Sequence, residues 1–291
     1  MERLASNATW AEALRRADTA IAPLNVTGDR IPIYWVHSVT GLGTDPIRLA
    51  KSLGPGQPFY SLRAPSRNRT ASFASSVQDI ALYYAREVAA FQPQGPLVVG
   101  GWSAGVVVAF EMAQQLRAMG RDVRYLVAVD FAPHNSAVKA NALKMLTLRT
   151  VNWLYRQSTT RMSFRMLVKR ILGKALETTH DTFTTGHPLD ELIEHLRYTK
   201  TEGDFVRRLH DEVDRYVPVP YPGAVLFYVA VEDDGKRRAS NRNLHSNHMI
   251  KVWRFLAGSL TVSKINGDHD SLLKGESVTE LARRLEADLQ G

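Results

Sequence analysis

One pentapeptide stands out for what its side chains can do: Gly101-Trp102-Ser103-Ala104-Gly105. It follows the apolar run Pro96–Gly100 and precedes a helical stretch, Ala104–Met119, that Gly120 closes. A Gly-x-Ser-x-Gly between strand and helix has the setting of a nucleophile elbow. The turn is so tight that the serine's neighbours must be small, and Gly101 and Gly105 meet that need. Such pentapeptides occur by chance in ordinary turns, but the strand before and the helix after make chance a poor explanation. Ser103 is therefore the candidate nucleophile, and the Ala104 amide at the helix start is a candidate oxyanion donor, aided by the helix dipole.

A serine nucleophile needs a base. Of the nine histidines, His269 lies in Gly267-Asp268-His269-Asp270, after a terminal strand Leu260–Ile265 and before a final amphipathic helix Ser277–Leu289. The chain order Ser, acid, His places the base there. His134 comes too early in that order. His245 and His248 read as surface residues of a polar loop, and His180, His187, His195 and His210 lie in a helical stretch. Two placements of the acid compete. Asp130 ends the strand Tyr125–Val129, and Asp233 with Asp234 follows the strand Ala224–Val231. Either would orient His269 and stabilise its charged form. A strand-ending Asp is also a common turn former. A second oxyanion donor belongs on the loop after Ile31–Val36, which reads Val36-His37-Ser38-Val39-Thr40-Gly41. The Val39 amide is the candidate, with His37 and Ser38 the alternative shapers of that loop.

The elements that must position these groups alternate. Ile31–Val36, Pro58–Leu62, Pro96–Gly100, Tyr125–Val129, Ala224–Val231 and Leu260–Ile265 read as short buried strands. Ser75–Phe91 and Ala104–Met119 carry apolar residues at helical spacing. The β-α order predicts an α/β fold with a mostly parallel sheet flanked by helices. Residues 1–20 read as a leader or short helix. The stretch from about 137 to 215 is helical in pattern with no convincing strand, an insertion suited to lie above the strands' C-terminal ends, where α/β proteins place ligands.

Composition narrows the function classes. With 44% hydrophobic and 23% charged residues, the chain has the balance of a globular protein, which argues against long disorder. Absence of cysteine excludes disulfides and thiolate sites. The N-terminus lacks a signal-peptide pattern and no apolar run is long enough to span a membrane, which suits a cytoplasmic-type compartment. Net charge is +8, yet no zinc-finger, RNP-like or P-loop pattern points to nucleic acid or nucleotide. Instead, residues 135–176 carry nine basic side chains and no acid, so the excess belongs to one segment.

The chain resembles the thioesterase domains that end nonribosomal peptide and polyketide synthases. "PIYWVHSVTG" is similar to the family's first strand and oxyanion loop, and "QPQGPLVVGGWSAGVVVAFEMAQQLRAMGRDVRYLVAVD" to its core signature. "YPGAVLFYVA" and "NGDHDSLL" are similar to its later strand and histidine loop. The resemblance implies one α/β-hydrolase domain over residues 1–291, with 137–215 as helical lid. It implies Asp130 as the acid, as in synthase-terminal members. Separate proofreading members often use the later position, which would favour Asp233 or Asp234. It also implies a carrier protein that presents an acyl or peptidyl thioester on phosphopantetheine, and no cofactor or metal of the enzyme's own. Two departures stand out: Val106 follows the elbow where a second glycine is common, and Thr40-Gly41-Leu42-Gly43 splits the usual glycine pair. The basic stretch suits docking of an acidic carrier, or is a solvated helical face. Its apolar residues suit an acyl pocket, packing onto the sheet, or a homodimer contact. An esterase for small soluble esters and a non-catalytic binding member of the fold are the competing classes.

Overall fold

The computed structural model describes residues 20–64, 76–133, 198–231 and 241–290. They form a seven-stranded sheet in the order β1-β3-β2-β4-β5-β6-β7. The strands are β1 (Ile21–Asn25), β2 (Ile33–Val36), β3 (Phe59–Leu62), β4 (Leu97–Trp102), β5 (Val123–Val129), β6 (Tyr221–Val231) and β7 (Ala257–Asn266). All neighbours pair in parallel except β1 with β3. The helices among the described residues are α1 (Ile47–Leu53), α2 (Val77–Phe91), α3 (Ala104–Ala118), α4 (Lys200–Arg215), α5 (Asn241–Leu256) and α6 (Gly275–Gln290).

Central strands with apolar residues at nearly every position need cover on both faces. All of β2 is buried, and all of β4 except Trp102. Strand side chains alternate between faces, and the packing follows that alternation. Ile33 and Trp35 of β2 and Leu226 and Tyr228 of β6 join Leu49 and Leu53 of α1 and Leu281 and Leu285 of α6 in one buried cluster. The intervening residues face the other layer. Tyr34 meets Phe91 of α2 edge-on at 6.5 Å. Phe227 meets Trp253 of α5 at 6.0 Å, and Trp253 meets Phe110 of α3 at 5.7 Å.

The helix starts carry their expected chemistry. The Ser76 hydroxyl accepts from the Asp79 amide ahead of α2. Thr199 and Glu202 form a reciprocal capping box at α4. α4 buries Phe205, Val206, Leu209 and Val213 along one stripe, and Tyr216 beyond it donates to Glu111 of α3 at 2.5 Å.

The chain divides into two compact units, Met1–Asn135 with Thr199–Gly291, and Ser136–Tyr198. The stretch expected as a lid, 137–215, straddles that division. Its last part, Lys200–Arg215, is α4 of the first unit, whereas 137–197 lies outside the described residues. The leader expected at 1–20 lies outside them up to residue 19, and β1 begins at Ile21. β7 is longer than the Leu260–Ile265 expected from sequence, and β1, α1 and α5 are additions to it.

Candidate active site

β4 delivers Ser103 into a strained turn with φ 56° and ψ −136° before α3 begins. A serine in this place ordinarily caps the helix with its own hydroxyl. Here the conformation turns the side chain away, and it makes no capping bond. The Ser103 amide instead donates to the Val129 carbonyl at 3.4 Å, and its carbonyl accepts from Val106 at 2.9 Å. The flanking glycines are sterically required. A Cβ on Gly101 would stand 2.6 Å from the backbone of Gly105, and one on Gly105 would stand 2.4 Å from the His37 carbonyl oxygen. The second contact also locates the β2 loop directly against the first turn of α3.

Among the described residues, two non-glycines have positive φ: Ser103 and Asp130, the latter at 50°. Strained backbone of this kind gathers at functional sites. Asp130 follows β5 and is buried. Its amide donates to the Tyr228 carbonyl at 2.8 Å, and its Oδ1 accepts from the Ala230 amide at 2.8 Å. Its Oδ2 lies 2.9 Å from His269 Nδ1. A carboxylate oxygen accepts and a ring N–H donates, so this bond engages Nδ1 and leaves Nε2 as the ring nitrogen turned away from Asp130.

His269 stands on the loop between β7 and α6. Gly267 opens this loop at φ 142°, and its amide donates to Val231 at 3.1 Å. The Asp268 carboxylate accepts from the amides of Asp270 and Ser271 at 3.1 and 2.8 Å, and the Ser271 hydroxyl accepts from the Asp268 amide at 2.7 Å. These bonds fix the backbone on both sides of the histidine. Trp102 also touches it, by ring stacking and by an indole N–H bond to its carbonyl. The elbow and the histidine loop therefore meet, with Asp130 closing the group from β5.

The β2 loop is tied down in the same way. The Ser38 amide donates to Asp45 Oδ2 at 2.9 Å, and Gly41 donates to the Ser38 carbonyl at 3.2 Å. Among the described residues, no acceptor is found for the amides of Val39 and Ala104. His37 is fully buried. Its Nδ1 lies 2.5 Å from the Ser38 carbonyl, which must accept, so Nε2 accepts from Tyr84 O–H at 2.8 Å. Burial holds its pKa below the usual histidine value and that of Tyr84 well above the usual tyrosine value. His37 is thus a neutral strut between the loop and α2, and Phe205 of α4 meets its ring edge-on at 5.9 Å.

Other sequence candidates fall elsewhere. Asp233 and Asp234 lie outside the described residues, as do His134, His180, His187 and His195. His245 and His248 are on helix α5, which corrects the polar loop expected for them; both are half-buried rather than surface residues, beside the buried Ser246, Met249, Val252 and Trp253 of the same helix. His210 is on the outer side of α4, 3.8 Å from Asp211 and 3.9 Å from Asp214. Sequence reasoning missed the contact of Trp102 with His269 and the Asp45 tether of Ser38. Neither has a readable sequence pattern: Trp102 meets His269 across 167 residues, and the Ser38–Asp45 bond is a turn closed within the loop between β2 and α1. Among the described residues, no three His, Asp or Glu side chains are grouped to hold a metal ion, and no helix is long and apolar enough to cross a membrane.

The family model of the thioesterase domain matches residues 31–289, nearly the whole chain. The chain belongs to the thioesterase domain family. It is 36% identical over 114 residues to the atromentin synthetase of Tapinella panuoides, a match covering 39% of this chain and 12% of that protein. The atromentin synthetase greA of Suillus grevillei is 38% identical over the same length and the same shares. The thioesterase thus spans a small part of these curated relatives. Among solved structures it is similar to the NocB thioesterase domain of the nocardicin cluster, with TM-score 0.60 and 24% identity, covering 94% of this chain and 99% of that one. It is also similar to SrfTE, the thioesterase domain that cyclises surfactin, with TM-score 0.56 and 18% identity over 94% and 96% of the two chains. At these identities the two structures establish the shared fold: a mostly parallel α/β-hydrolase sheet with flanking helices.

Proposed function

We propose that this thioesterase releases an acyl, polyketide or peptidyl chain from the phosphopantetheine thiol of a carrier protein through an acyl-serine intermediate. The Asp130–His269 pair at 2.9 Å, held against the elbow that presents Ser103, is the observation that carries this reading. In the proposed reaction His269 Nε2 takes the hydroxyl proton as Ser103 Oγ bonds to the thioester carbonyl carbon. Asp130 holds the tautomer and stabilises the imidazolium. The oxygen of the tetrahedral intermediate accepts from the amides of Val39 and Ala104. The C–S bond then breaks, His269 returns its proton to the departing thiolate, and Ser103 holds the acyl group as an ester. Water resolves that ester to a free acid, or an amine or hydroxyl within the chain resolves it to a ring. Nucleophile, base and oxyanion donors all come from the polypeptide, so no step draws on a metal or cofactor.

The carrier is assigned on charge. Residues 135–176 hold nine basic side chains and no acid, which suits attraction of an acidic partner. Oxygen esters and thioesters of one acyl group, each free in solution, and the same acyl group on a phosphopantetheinylated carrier test the reading. The expected order of kcat/KM is carrier-bound thioester, then free thioester, then oxygen ester. Fastest turnover of the free oxygen ester would replace it with a small-ester esterase.

A further inference from the structure

Trp102 has no part in the reaction above, yet its side chain spans the two halves of the site. β4 is buried along its length, and Trp102 at its end is only partly so. Its indole ring stacks on the His269 imidazole, with centroids 5.0 Å apart and planes 27° from parallel. Its Nε1–H donates to the His269 carbonyl at 3.1 Å, across 167 residues of sequence. Through its own backbone it is bonded to Ser103. One residue thus grips both the ring and the backbone of the base and is covalently joined to the nucleophile.

The hydrogen bond from His269 Nδ1 to Asp130 leaves the imidazole two motions. The ring can tilt about the Nδ1···Oδ2 axis, and the loop can carry the whole residue away from the elbow. The indole face opposes the first, and the indole N–H bond opposes the second. The face also bears the negative side of an aromatic quadrupole, which favours a cation laid against it. His269 becomes that cation when it takes the serine proton.

We infer that Trp102 is a positioning residue for the base: it sets His269 against Ser103 and favours the imidazolium formed during acylation. This rests on the proposed roles of Ser103 and His269. A purely space-filling role would be met equally by another large apolar side chain, whereas this one requires a ring face and, to a lesser degree, an indole N–H.

The test compares wild type with Trp102→Phe, which keeps a ring face and loses the N–H, and Trp102→Leu, which loses both. Ser103→Ala runs alongside. Single-turnover acylation by a free acyl thioester gives the rate, steady state gives KM, and the downfield proton resonance of His269 Nδ1–H reports the Asp130–His269 geometry. Trp102→Leu should acylate about tenfold more slowly or worse, with KM within about twofold and the downfield resonance broadened. Trp102→Phe should recover most of the rate and a sharp resonance. If the leucine variant fails to fold, a ring-fluorinated tryptophan placed at position 102 alone carries the test. Its shape is nearly unchanged and its face is less negative, so acylation should slow by several-fold. Wild-type acylation in the leucine or fluorinated protein would overturn the inference, as would equal loss in Phe and Leu with a sharp resonance in both. Should Ser103→Ala itself keep acylating, the proposed function fails first. An inert Ser103→Ala beside an unimpaired Trp102→Leu sinks the tryptophan inference alone.

Discussion

Asp130→Asn separates a chemical role for this residue from a structural one, because the surrounding bonds dictate which way the new amide must point. The substitution is nearly isosteric, and asparagine tolerates the left-handed backbone at φ 50°. In the wild type, Oδ1 accepts from the Ala230 amide at 2.8 Å and Oδ2 faces His269 Nδ1 at 2.9 Å. If the new amide keeps its oxygen toward Ala230, its NH2 faces Nδ1. The imidazole must then carry its proton on Nε2, where it cannot accept one from Ser103. If the amide flips, its NH2 faces the Ala230 N–H, and two buried donors confront each other at a cost of about 1–3 kcal/mol. Either orientation removes the negative charge that steadies the imidazolium, and the same change in the acid of a Ser-His-Asp triad lowers kcat by about 10⁴-fold. A loss of about 10²- to 10⁴-fold in kcat is expected here. KM should stay within about threefold, because Asp130 is buried and its two carboxylate oxygens are taken by the Ala230 amide and His269. Steady-state hydrolysis of a free acyl thioester measures both constants, with circular dichroism confirming the fold. Asp233→Asn and Asp234→Asn should remain within about threefold of wild type, the ordinary scale of a change outside the catalytic group. An Asp130→Asn enzyme that keeps kcat within tenfold of wild type would mean that Asp130 is not the acid, and a collapse in either of the other two would move the acid to the end of β6.

Other perturbations follow from the same geometry. Gly105→Ala drives a methyl to 2.4 Å from the His37 carbonyl, a backbone atom that cannot step aside cheaply. It should cost about 1–3 kcal/mol in stability and reduce kcat far more than a surface change, measured by urea melts and thioester turnover; unchanged values would mean the β2 loop does not rest on α3. His37 is buried with its pKa below the ordinary 6.5, so the unfolded chain binds the extra proton below that pH. Its contribution is complete above about pH 6.5 and is lost as pH falls, by at most about 1.4 kcal/mol per pH unit. His37→Gln should therefore flatten the decline in unfolding free energy between pH 7.5 and 5.5 relative to wild type; parallel curves would contradict the buried neutral state. Replacing Arg165, Lys169 and Arg170 with Glu should slow carrier-bound substrate by about tenfold at low salt and leave free thioester turnover unchanged. Equal slowing of both substrates would take the basic stretch out of carrier docking.

How much was legible in the sequence depended on how local each signal was. Ser103 was visible because its constraint is written within five residues: two glycines that the structure shows cannot bear a Cβ, between an apolar run and a helix. His269 was visible through chain order and the turn-forming residues around it. The residues by themselves left the acid divided between two strand ends, and only the family resemblance favoured Asp130, since periodicity marks where β5 and β6 stop but not which stop faces the histidine. The bond from Ala230 to Asp130 depends on the parallel pairing of β5 with β6, which no local pattern encodes. β1 hid behind Pro23, which is acceptable only because the strand is an antiparallel edge. β7 looked shorter than it is because its only buried residue is Ile265, so its first half lacks an apolar alternation to read. α1 runs only from Ile47 to Leu53 and has no side-chain cap. α5 begins with Asn241-Arg242-Asn243, so its polar start concealed a helix whose Trp253 is fully buried. The stack of Trp102 on His269 had no sequence trace, because it joins residues 167 apart by tertiary packing alone.

The proposed reaction passes through a covalent acyl group on Ser103, which intact-protein mass spectrometry detects. Wild type and Ser103→Ala are each mixed with an acyl thioester and quenched in acid over the first turnovers. A mass gain equal to the acyl group is expected on wild type alone, mapping to the Gly101–Gly105 peptide and decaying as free acid or ring product appears. Acylation or turnover by Ser103→Ala at the wild-type rate would contradict an acyl-Ser103 intermediate.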